Sequence, residues 1–378
     1  MPDLSELRQG INDIDKQIEQ LFKERMELCV HVAEFKKQNK LQIFQSSRED
    51  EILERVKNDM PDWLGGGSQV LFSTLMDISK LLQYQRVFSE RDEMSFKPLD
   101  LTKPAKAAVP GISGAYAHIA CEQFSGNLTP VFCSSFRKVF KAVENGECEF
   151  GVLPIENSTA GSVVQTFELL KEYDLRICAT TKLTISHCLA VRPGMKEEDI
   201  ESVYSHEQAL MQCSRYLHDG RYKTMRSAST SLAAEYVAKT DEPCAAICSE
   251  KCAAEQGLTV IKRDIADARH NYTRFILVSK ETLCPEGADI ISVSLALPHQ
   301  KASLYRLLTK FSAAGLNLTM ISSRPIADTD FDAVFYLDFE GSICSPQVVK
   351  LIDELRYELS YFKFLGNYSE IKPKGGKK

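Results

Sequence analysis

A long apolar seam near the N-terminus constrains the fold of this chain more than any other feature of its sequence. Apolar residues recur there at alternating spacings of three and four positions: Leu4, Leu7, Ile11, Ile14, Ile18, Leu21, Leu28, Val32 and Phe35. This spacing places them on one face of a continuous helix over about five heptads. Because a lone helix cannot bury such a face, the segment must pack against other helices.

The pattern changes along the 378-residue chain and divides it into four stretches. Residues 1–90 are helical, and residues 91–106 are charged, aperiodic and interrupted by proline, as is typical of a linker. Residues 107–280 alternate short apolar runs with helical segments, which favours an α/β domain with largely parallel sheets. Residues 289–368 follow the order βαββαβ, the α+β ferredoxin-like plan. We therefore predict a multidomain protein.

Proline and glycine punctuate the helical stretch. Pro61 and the run Gly65–Gly67 lower helix propensity over a short distance. They predict a break, followed by a last helix from about Gln69 to Phe88.

Composition excludes several classes of protein. The 46 Lys and Arg residues against 52 Asp and Glu residues give a net charge of −6, so no overall basic field exists for binding nucleic acid. The apolar runs fall well short of the ~20 residues that span a bilayer. The N-terminus lacks the basic and apolar regions of a secretory signal. We expect a soluble cytoplasmic protein that does not bind a membrane.

The twelve cysteines contain no CxxC pair. Cys244, Cys248 and Cys252 are spaced by four and would share one face of a helix. Structural zinc also needs a second cysteine pair or nearby histidines, and neither accompanies them. We therefore expect reduced thiols and no metal.

One position of the apolar seam is charged. Arg25 stands where the seam needs an apolar residue, and a buried cation needs an anionic partner. A structural ion pair with a helix glutamate would satisfy it. Alternatively, Lys36 lies about 20° away around the helix and roughly 16 Å along it, so both cations could hold a small dianion. Arg8, roughly 25 Å from Arg25, could join only from a second copy of the helix, in an intertwined dimer.

The helical segment resembles the all-helical chorismate mutase domain over about 85 residues. The motifs that carry the resemblance are LRQGINDIDKQIEQLFKERMELCVHVAEFK, SREDEILERV and LFSTLMDISKLLQYQ. The resemblance implies that Arg25, Lys36 and Arg8 of the partner hold the two carboxylates and the ether oxygen of chorismate. It also implies that Arg48 lies beside the site, that Glu49 takes the ring hydroxyl, and that Ser79 and Gln83 line the pocket. Gln45 stands where members often have aspartate, so we expect altered affinity.

The chemistry implied by this resemblance suits such a site. Rearrangement of chorismate to prephenate is unimolecular and needs no nucleophile, proton shuttle or cofactor. Catalysis then comes from holding the compact conformer and stabilising charge on the breaking ether oxygen. Lys36 and Gln83 are the expected donors to that oxygen.

Four polar clusters lie where the predicted strands of the α/β segment end. They are PIENSTAG (154–161), YSHEQALMQC (204–213), SAST (227–230) and NYTRF (271–275). Helix capping alone could explain Ser229 or Thr230. Capping explains poorly why Thr273 and Arg274 enter an apolar strand.

In this order and spacing, the clusters resemble prephenate dehydratase over residues 107–280. The family implies a two-lobed α/β domain with the active site between its lobes, and conversion of prephenate to phenylpyruvate with loss of water and carbon dioxide. Departure of the ring hydroxyl needs a proton, which Thr273 is expected to position or supply, and Arg274 is a candidate carboxylate anchor. Other cleft residues implied by the resemblance are Glu156, Asn157, Ser158, Ser205, Gln208 and Gln212. His206 is either catalytic or a structural residue at a helix start.

The C-terminal segment GLNLTMISSRP resembles the phenylalanine-binding ACT domain. The resemblance implies a ligand site between two such domains, at Ala302, Ser303, Leu304, Asn317 and Leu318. The usual proline-glycine of the first turn is replaced here by Lys301 and Ala302, and Ser322 replaces a glutamate. We expect feedback inhibition by phenylalanine, weakened by the altered turn.

Together the three segments resemble the bifunctional chorismate mutase–prephenate dehydratase family over essentially the whole chain. A rival hypothesis is an amino-acid-responsive binding protein whose helices are only a dimerisation arm, but the matched polar positions in those helices disfavour it. A second rival is a dehydratase with an inactive mutase, which Gln45 makes conceivable. The expected partners are chorismate, prephenate, phenylalanine and further copies of the chain, in a homodimer or higher homo-oligomer.

Overall fold

The computed structural model describes residues 3–39, 41, 43, 46–87, 96–218, 220–268, 270–300, 302–325 and 333–372. These residues form two compact units. The first contains the N-terminal helices and Val293–Phe364, and the second contains Phe96–Ser292 and the chain from Leu365. Within the described ranges, every helix is too short or too polar to cross a membrane.

Three N-terminal helices begin the first unit: α1 (Leu4–Gln38), α2 (Ser46–Asn58) and α3 (Asp62–Val87). The Asp3 carboxylate caps α1 by accepting from the backbone N–H groups of Ser5 and Glu6, and Glu6 accepts from the N–H of Asp3 in return. This reciprocal capping box satisfies backbone donors that have no partner inside the helix.

Helix α3 runs unbroken through Gly65–Gly67, so the predicted break is wrong. Ser68 donates to the carbonyl oxygens of Gly65 and Val56, at 2.8 and 3.0 Å. A Cβ on Gly65 would lie 3.4 Å from Lys57 of α2. Close packing of α2 on α3 outweighs the low helix propensity of glycine, which costs only about 1 kcal/mol per residue.

The apolar seam of α1 stays uncovered. Its nine apolar side chains, from Leu4 to Phe35, are between 44% and 66% exposed. Helix α1 instead buries Met26 and Ala33 and packs on α3. An exposed apolar stripe of this length marks an interaction surface.

The second unit contains thirteen strands and seven α-helices in its described residues. The strands are β1 (Lys97–Pro98), β2 (Ala105–Pro110), β3 (Leu128–Cys133), β4 (Phe150–Asn157), β5 (Gly161–Ser162), β6 (Arg176–Thr184), β7 (Cys188–Val191), β8 (Ser202–His206), β9 (Lys223–Ser227), β10 (Cys244–Cys248), β11 (Thr259–Lys262), β12 (Tyr272–Ser279) and β13 (Leu283–Cys284). The helices are α4 (Tyr116–Phe124), α5 (Phe136–Glu144), α6 (Val164–Glu172), α7 (Glu207–Gln212), α8 (Ser214–Leu217), α9 (Thr230–Lys239) and α10 (Glu250–Glu255).

Two mixed sheets organise these elements into two lobes. The sheet of the first lobe has the order β3-β2-β4-β12-β6, with β5 beside β4, and that of the second lobe has the order β11-β7-β10-β8-β9. Strand β12 is antiparallel to both neighbours, and so is β7, which makes the expectation of largely parallel sheets wrong. The chain leaves the first sheet after β6 and returns as β12, which runs against both β4 and β6.

Two short segments differ from their sequence-based description. Strand β1 lies within the stretch predicted as a linker and pairs with β13, with Lys97 opposite Leu283. Cys244 and Cys248 lie in the buried strand β10, whereas Cys252 lies in α10, so the predicted common helical face is wrong. A short apolar run such as CAAIC fits a strand buried on both faces.

The C-terminal elements are β14 (Ile290–Ala296), α11 (Ser303–Ala313), β15 (Leu318–Pro325), β16 (Ala333–Glu340), α12 (Pro346–Glu358) and β17 (Phe362–Tyr368). Their sheet has the order β15-β16-β14-β17. Helices α11 and α12 pack on α3. The rings of Tyr84 and Tyr357 meet edge to face at 5.6 Å, and the hydroxyls of Thr74 and Tyr305 are 3.3 Å apart.

A buried charge cluster joins α11 to α12. Lys310 donates to Glu354, and its Nζ lies 2.8 Å from Glu358. Burial alone would lower the pKa of Lys310, but the two carboxylates raise it to about 12. The lysine therefore stays charged and neutralises two buried acids.

We expect Lys310→Met to destabilise the first unit by about 3–5 kcal/mol, because it leaves buried carboxylates without their cation. Urea unfolding of the full chain, followed by far-UV circular dichroism, measures the change. Lys239→Met is the matched control, since this lysine is 72% exposed and pairs with Glu235 at a helix surface. A Lys310→Met variant as stable as that control would contradict the assigned role of the cluster.

Candidate active sites

Arg25 reaches from α1 to α3. Its Nη1 donates to the carbonyl oxygen of Leu75 at 3.1 Å and to the hydroxyl of Ser79. Ser79 in turn donates to Leu75 O at 2.6 Å. These described partners are neutral, so the alternative of an ion pair with a helix glutamate is not observed. The charge of Arg25 remains available to an anion.

Lys36 lies further along α1 and donates to the carbonyl oxygen of Ile43 at 2.7 Å. Burial lowers the pKa of Lys36, and the nearby Glu49 carboxylate opposes that shift. Glu49 also binds Lys80, with an Oε1–Nζ distance of 3.1 Å, and Lys80 lies 2.9 Å from Asp77. Lys80 was not singled out from the sequence, because its pairing with Glu49 depends on how α2 packs on α3.

Gln83 and Ser79 lie one turn apart on α3, and both are buried. The Oε1 atom of Gln83 has no hydrogen-bond partner among the described residues. Leaving a buried polar atom unpaired costs about 1–3 kcal/mol, so such an atom points to a ligand or solvent partner.

The remaining predicted mutase residues are Arg8, Arg48 and Gln45. Arg8 is exposed near the start of α1, roughly 25 Å along the helix from Arg25. Arg48 is exposed and pairs with Glu51 at 2.6 Å. Gln45 lies outside the described residues.

Thr273 stands at the start of β12, opposite Asn157 at the end of β4. The Asn157 Nδ2 donates to Thr273 Oγ1 at 2.9 Å and to Asn271 Oδ1 at 2.8 Å. Its Oδ1 accepts from the backbone N–H groups of Thr159 and Ala160, at 3.0 and 2.9 Å. Since Thr273 Oγ1 accepts from Asn157, its own proton is free to donate to a bound molecule.

Arg274 pairs with Glu156 at 3.4 Å, directly across β12 and β4. Because side chains alternate along a strand, this ion pair lies on the opposite face of the sheet from Thr273. The role of Arg274 as a carboxylate anchor stays a prediction. Ser158 joins the two strands, since its hydroxyl accepts from the N–H of Tyr272 at 2.9 Å.

The second lobe supplies α7 and its predicted polar residues. Ser205 is fully buried and donates to the carbonyl oxygen of Ile247 at 2.7 Å. His206 caps α7, because its Nδ1 accepts from the N–H of Gln208 at 3.3 Å. This geometry fits the structural alternative for His206. Gln212, at the end of α7, faces the first lobe.

The hydrogen bonds that lead from Thr273 through Gln212 involve four further residues that were not singled out from the sequence: Thr159, Asn271, His187 and Tyr116. Gln212 Nε2 donates to Thr159 Oγ1 at 2.7 Å, and Asn271 Nδ2 donates to Gln212 Oε1 at 3.1 Å. His187 Nε2 lies 3.0 Å from Gln212 Oε1, and Tyr116 Oη lies 3.0 Å from His187 Nδ1. Thr159 and Asn271 belong to polar clusters already noted, but His187 sits in an apolar run that gives no signal.

Comparison with known proteins identifies the family of this chain. Residues 107–283 match the family model for prephenate dehydratase, and residues 7–84 match that for chorismate mutase type II. The chain is 33% identical over 374 residues to the bifunctional chorismate mutase/prephenate dehydratase of Aquifex aeolicus, covering 97% of this chain and 98% of the relative. The chain belongs to the bifunctional chorismate mutase/prephenate dehydratase family.

Two further relatives agree with this assignment. The bifunctional chorismate mutase/prephenate dehydratase of Escherichia coli K12 is 30% identical over 372 residues, covering 96% of this chain and 95% of that protein. A crystal structure of prephenate dehydratase in complex with L-Phe from Arthrobacter aurescens superposes with a TM-score of 0.66 at 31% identity, covering 71% of this chain and 92% of that one. The predicted pair of enzyme activities is confirmed, and the rival hypothesis of a binding protein is wrong.

The candidate phenylalanine turn of this bifunctional enzyme has a strained backbone. Ala302 has φ +62° and begins α11 without a side-chain cap. Ser303 lines a cavity of about 110 Å³ with Arg306, Lys310 and several leucines. Leu304 is 39% exposed. Lys301 lies outside the described residues.

The second part of the predicted ligand site is at the start of β15. Asn317 is exposed, and its carbonyl oxygen accepts from the N–H of Glu340 at 2.9 Å. Leu318 is half-buried and is the first residue of β15. Ligand binding at this segment stays a prediction.

We expect Ala302→Gly to stabilise the first unit by about 1 kcal/mol, because glycine adopts positive φ without the steric cost that alanine pays. Ala313→Gly, at the last residue of α11, is the opposite control and should destabilise by up to about 1 kcal/mol. Urea midpoints of the full chain measure both changes. Equal destabilisation by the two substitutions would contradict strain at Ala302.

Proposed function

We propose that two separate sites carry the two activities: one in α1–α3 rearranges chorismate, and one around Thr273 dehydrates and decarboxylates prephenate. The guanidinium of Arg25, which interrupts the apolar seam and whose described partners are all neutral, is the strongest support for the first site. Chorismate is a dianion, which Arg25 and Lys36 can bind. Gln83, whose buried Oε1 has no hydrogen-bond partner among the described residues, is proposed to donate from its Nε2 to the breaking ether oxygen together with Lys36.

The mutase site is proposed to be shared between two chains. Arg8 is too far from Arg25 to reach the same small ligand within one helix. A second α1 laid antiparallel along the exposed seam would bring its own Arg8 to the site and cover the apolar stripe. We therefore propose a homodimer as the smallest active mutase.

Complementation tests this sharing. Arg8→Ala and Arg25→Ala homodimers should each lack mutase activity, whereas a refolded mixture should recover part of it. A mixed dimer has one site with both substitutions and one site with neither. If heterodimers are shown to form in the mixture but no mutase activity is recovered, the shared site is contradicted.

At the second site, Thr273 is proposed to donate a hydrogen bond to the departing ring hydroxyl of prephenate. The carbon–carbon bond to the carboxylate breaks, its electrons enter the forming aromatic ring, and the carbon–oxygen bond breaks to release the hydroxyl. One proton from solvent completes the water molecule. The support is the Asn157 amide, which occupies the acceptor side of Thr273 Oγ1 and leaves its proton outward.

We further propose that the C-terminal segment is an ACT domain of ferredoxin-like fold, and that phenylalanine bound there inhibits dehydration. The sheet order β15-β16-β14-β17 and the complex of the Arthrobacter aurescens prephenate dehydratase with L-Phe support it. Inhibition requires tighter binding of phenylalanine to the less active state, and linkage requires a prephenate analogue to weaken phenylalanine binding equally. Calorimetric titration of the full chain tests both the binding of phenylalanine and its linkage to the prephenate analogue.

The proposal also includes a cytoplasmic location. Nine of the twelve free thiols are buried, as is usual for reduced cysteines inside cells.

A further inference from the structure

The side chains around Thr273 form a closed ring of hydrogen bonds that joins the two lobes. Asn157 Nδ2 donates to Asn271 Oδ1 at 2.8 Å, and Asn271 Nδ2 donates to Gln212 Oε1 at 3.1 Å. Gln212 Nε2 donates to Thr159 Oγ1 at 2.7 Å. Thr159 Oγ1 donates to Asn157 Oδ1 at 2.7 Å and closes the ring. Every member donates to the next, an arrangement in which the hydrogen bonds strengthen one another.

Backbone groups set the direction of this ring. Two backbone N–H groups, of Thr159 and Ala160, point at one end of the Asn157 amide, and only an oxygen can accept from them. The Nδ2 of Asn157 must therefore face Asn271 and Thr273. Asn271 then turns its own Nδ2 toward Gln212, whose Oε1 becomes the acceptor.

His187 completes the ring from the second lobe. Its Nε2 lies 3.0 Å from Gln212 Oε1, an acceptor, so Nε2 carries a proton. Burial of His187 lowers its pKa, against the opposing hydrogen bond to Gln212, and favours the neutral imidazole. Nδ1 is then an acceptor, and Tyr116 Oη lies 3.0 Å from it. Tyr116 Oη donates its single proton to the carbonyl oxygen of Ser186 at 2.5 Å, which holds the phenol beside the imidazole.

We propose that His187 is a positioning residue for prephenate dehydration: its Nε2–H holds Gln212 and, through it, Asn271 in place. The Asn157 amide, already oriented by the backbone, is then kept against Thr273 so that the Thr273 proton points at the departing hydroxyl. His187 contacts Gln212 and acts on Thr273 through it. The inference rests on the proposed role of Thr273 and adds the reason for the orientation of its hydroxyl. Because Gln212 belongs to α7 and Asn271 precedes β12, the ring also fixes one lobe relative to the other around Thr273.

Leucine and glutamine at position 187 separate positioning from packing. Leucine fills the site without a donor, whereas glutamine can offer an Nε2–H to Gln212 Oε1. His187→Leu should lower kcat for prephenate about 100-fold with KM changed by less than about threefold, the effect of a misplaced catalytic group. His187→Gln should recover at least about a tenth of the wild-type kcat. Wild-type kcat in His187→Leu, or equally low kcat in both variants, would overturn the inference.

A second variant covers the case in which His187→Leu fails to fold. Asn271→Asp has the same shape, but its carboxylate cannot donate to Gln212 Oε1, so the ring loses this hydrogen bond without a change in the His187 pocket. Its kcat should fall, and wild-type kcat would overturn the inference. His206→Asn, which keeps a cap on α7, is the matched control and should retain wild-type kcat. Wild-type dehydration by Thr273→Val would instead contradict the proposed role of Thr273 itself.

Discussion

Thr273→Val is expected to lower dehydration of prephenate by about 10²–10⁴-fold, because valine keeps the shape of threonine but has no hydroxyl to serve the leaving group. The substitution also leaves an N–H of Asn157 without its acceptor, which adds to the loss. Formation of phenylpyruvate from supplied prephenate, followed by absorbance in base, measures the effect. Rearrangement of chorismate by the same sample should stay at the wild-type rate.

Thr184→Val is the matched control for this substitution. Thr184 lies opposite Tyr272 on the neighbouring strand β6 and is exposed. It is therefore a threonine at the same sheet edge but outside the hydrogen-bond ring. It should dehydrate prephenate at the wild-type rate. A Thr273→Val variant as active as this control would remove Thr273 from the reaction.

Arg25→Ala and Lys36→Ala are each expected to lower chorismate rearrangement by about 10²-fold or more, the typical cost of removing an oriented donor to developing charge. Dehydration of supplied prephenate should stay nearly unchanged, because α1 belongs to the other compact unit. Arg25→Lys should be intermediate, since it keeps the charge and loses the planar fork. The disappearance of chorismate, followed by its absorbance, measures all three.

Lys23→Ala controls for the general loss of a cation from α1. Lys23 is 70% exposed and lies 4.0 Å from Glu27 on the helix surface. It should rearrange chorismate at the wild-type rate. Mutase activity that survives in Arg25→Ala at the level of this control would contradict the assigned site.

Local pattern was enough to predict the elements that decide the first site. The three-four spacing from Leu4 to Phe35 predicts the long helix, and the interruption of that spacing identifies Arg25 as a charged exception. Local pattern failed at Gly65–Gly67, where packing of α2 against α3 overrides helix propensity. It failed again for β12, whose direction depends on where the chain returns between two lobes.

The second site shows why a functional residue can escape sequence reasoning. Thr273 stands out because a polar residue begins an apolar strand. His187 does not stand out, because its role depends on Gln212, 25 residues away, and on Tyr116, 71 residues away. Such a residue is recognised only when the fold brings its partners together. The same holds for Lys80, whose partner Glu49 lies on another helix.

The most direct test of two separate sites in one chain is a mixing experiment with chorismate as the only substrate. Arg25→Ala alone should leave chorismate unchanged, and Thr273→Val alone should stop at prephenate. An equimolar mixture of the two variants should produce phenylpyruvate after a lag, because prephenate released by one variant is consumed by the other. Phenylpyruvate from Thr273→Val alone, or none from the mixture while each variant keeps its remaining activity, would contradict the two-site account.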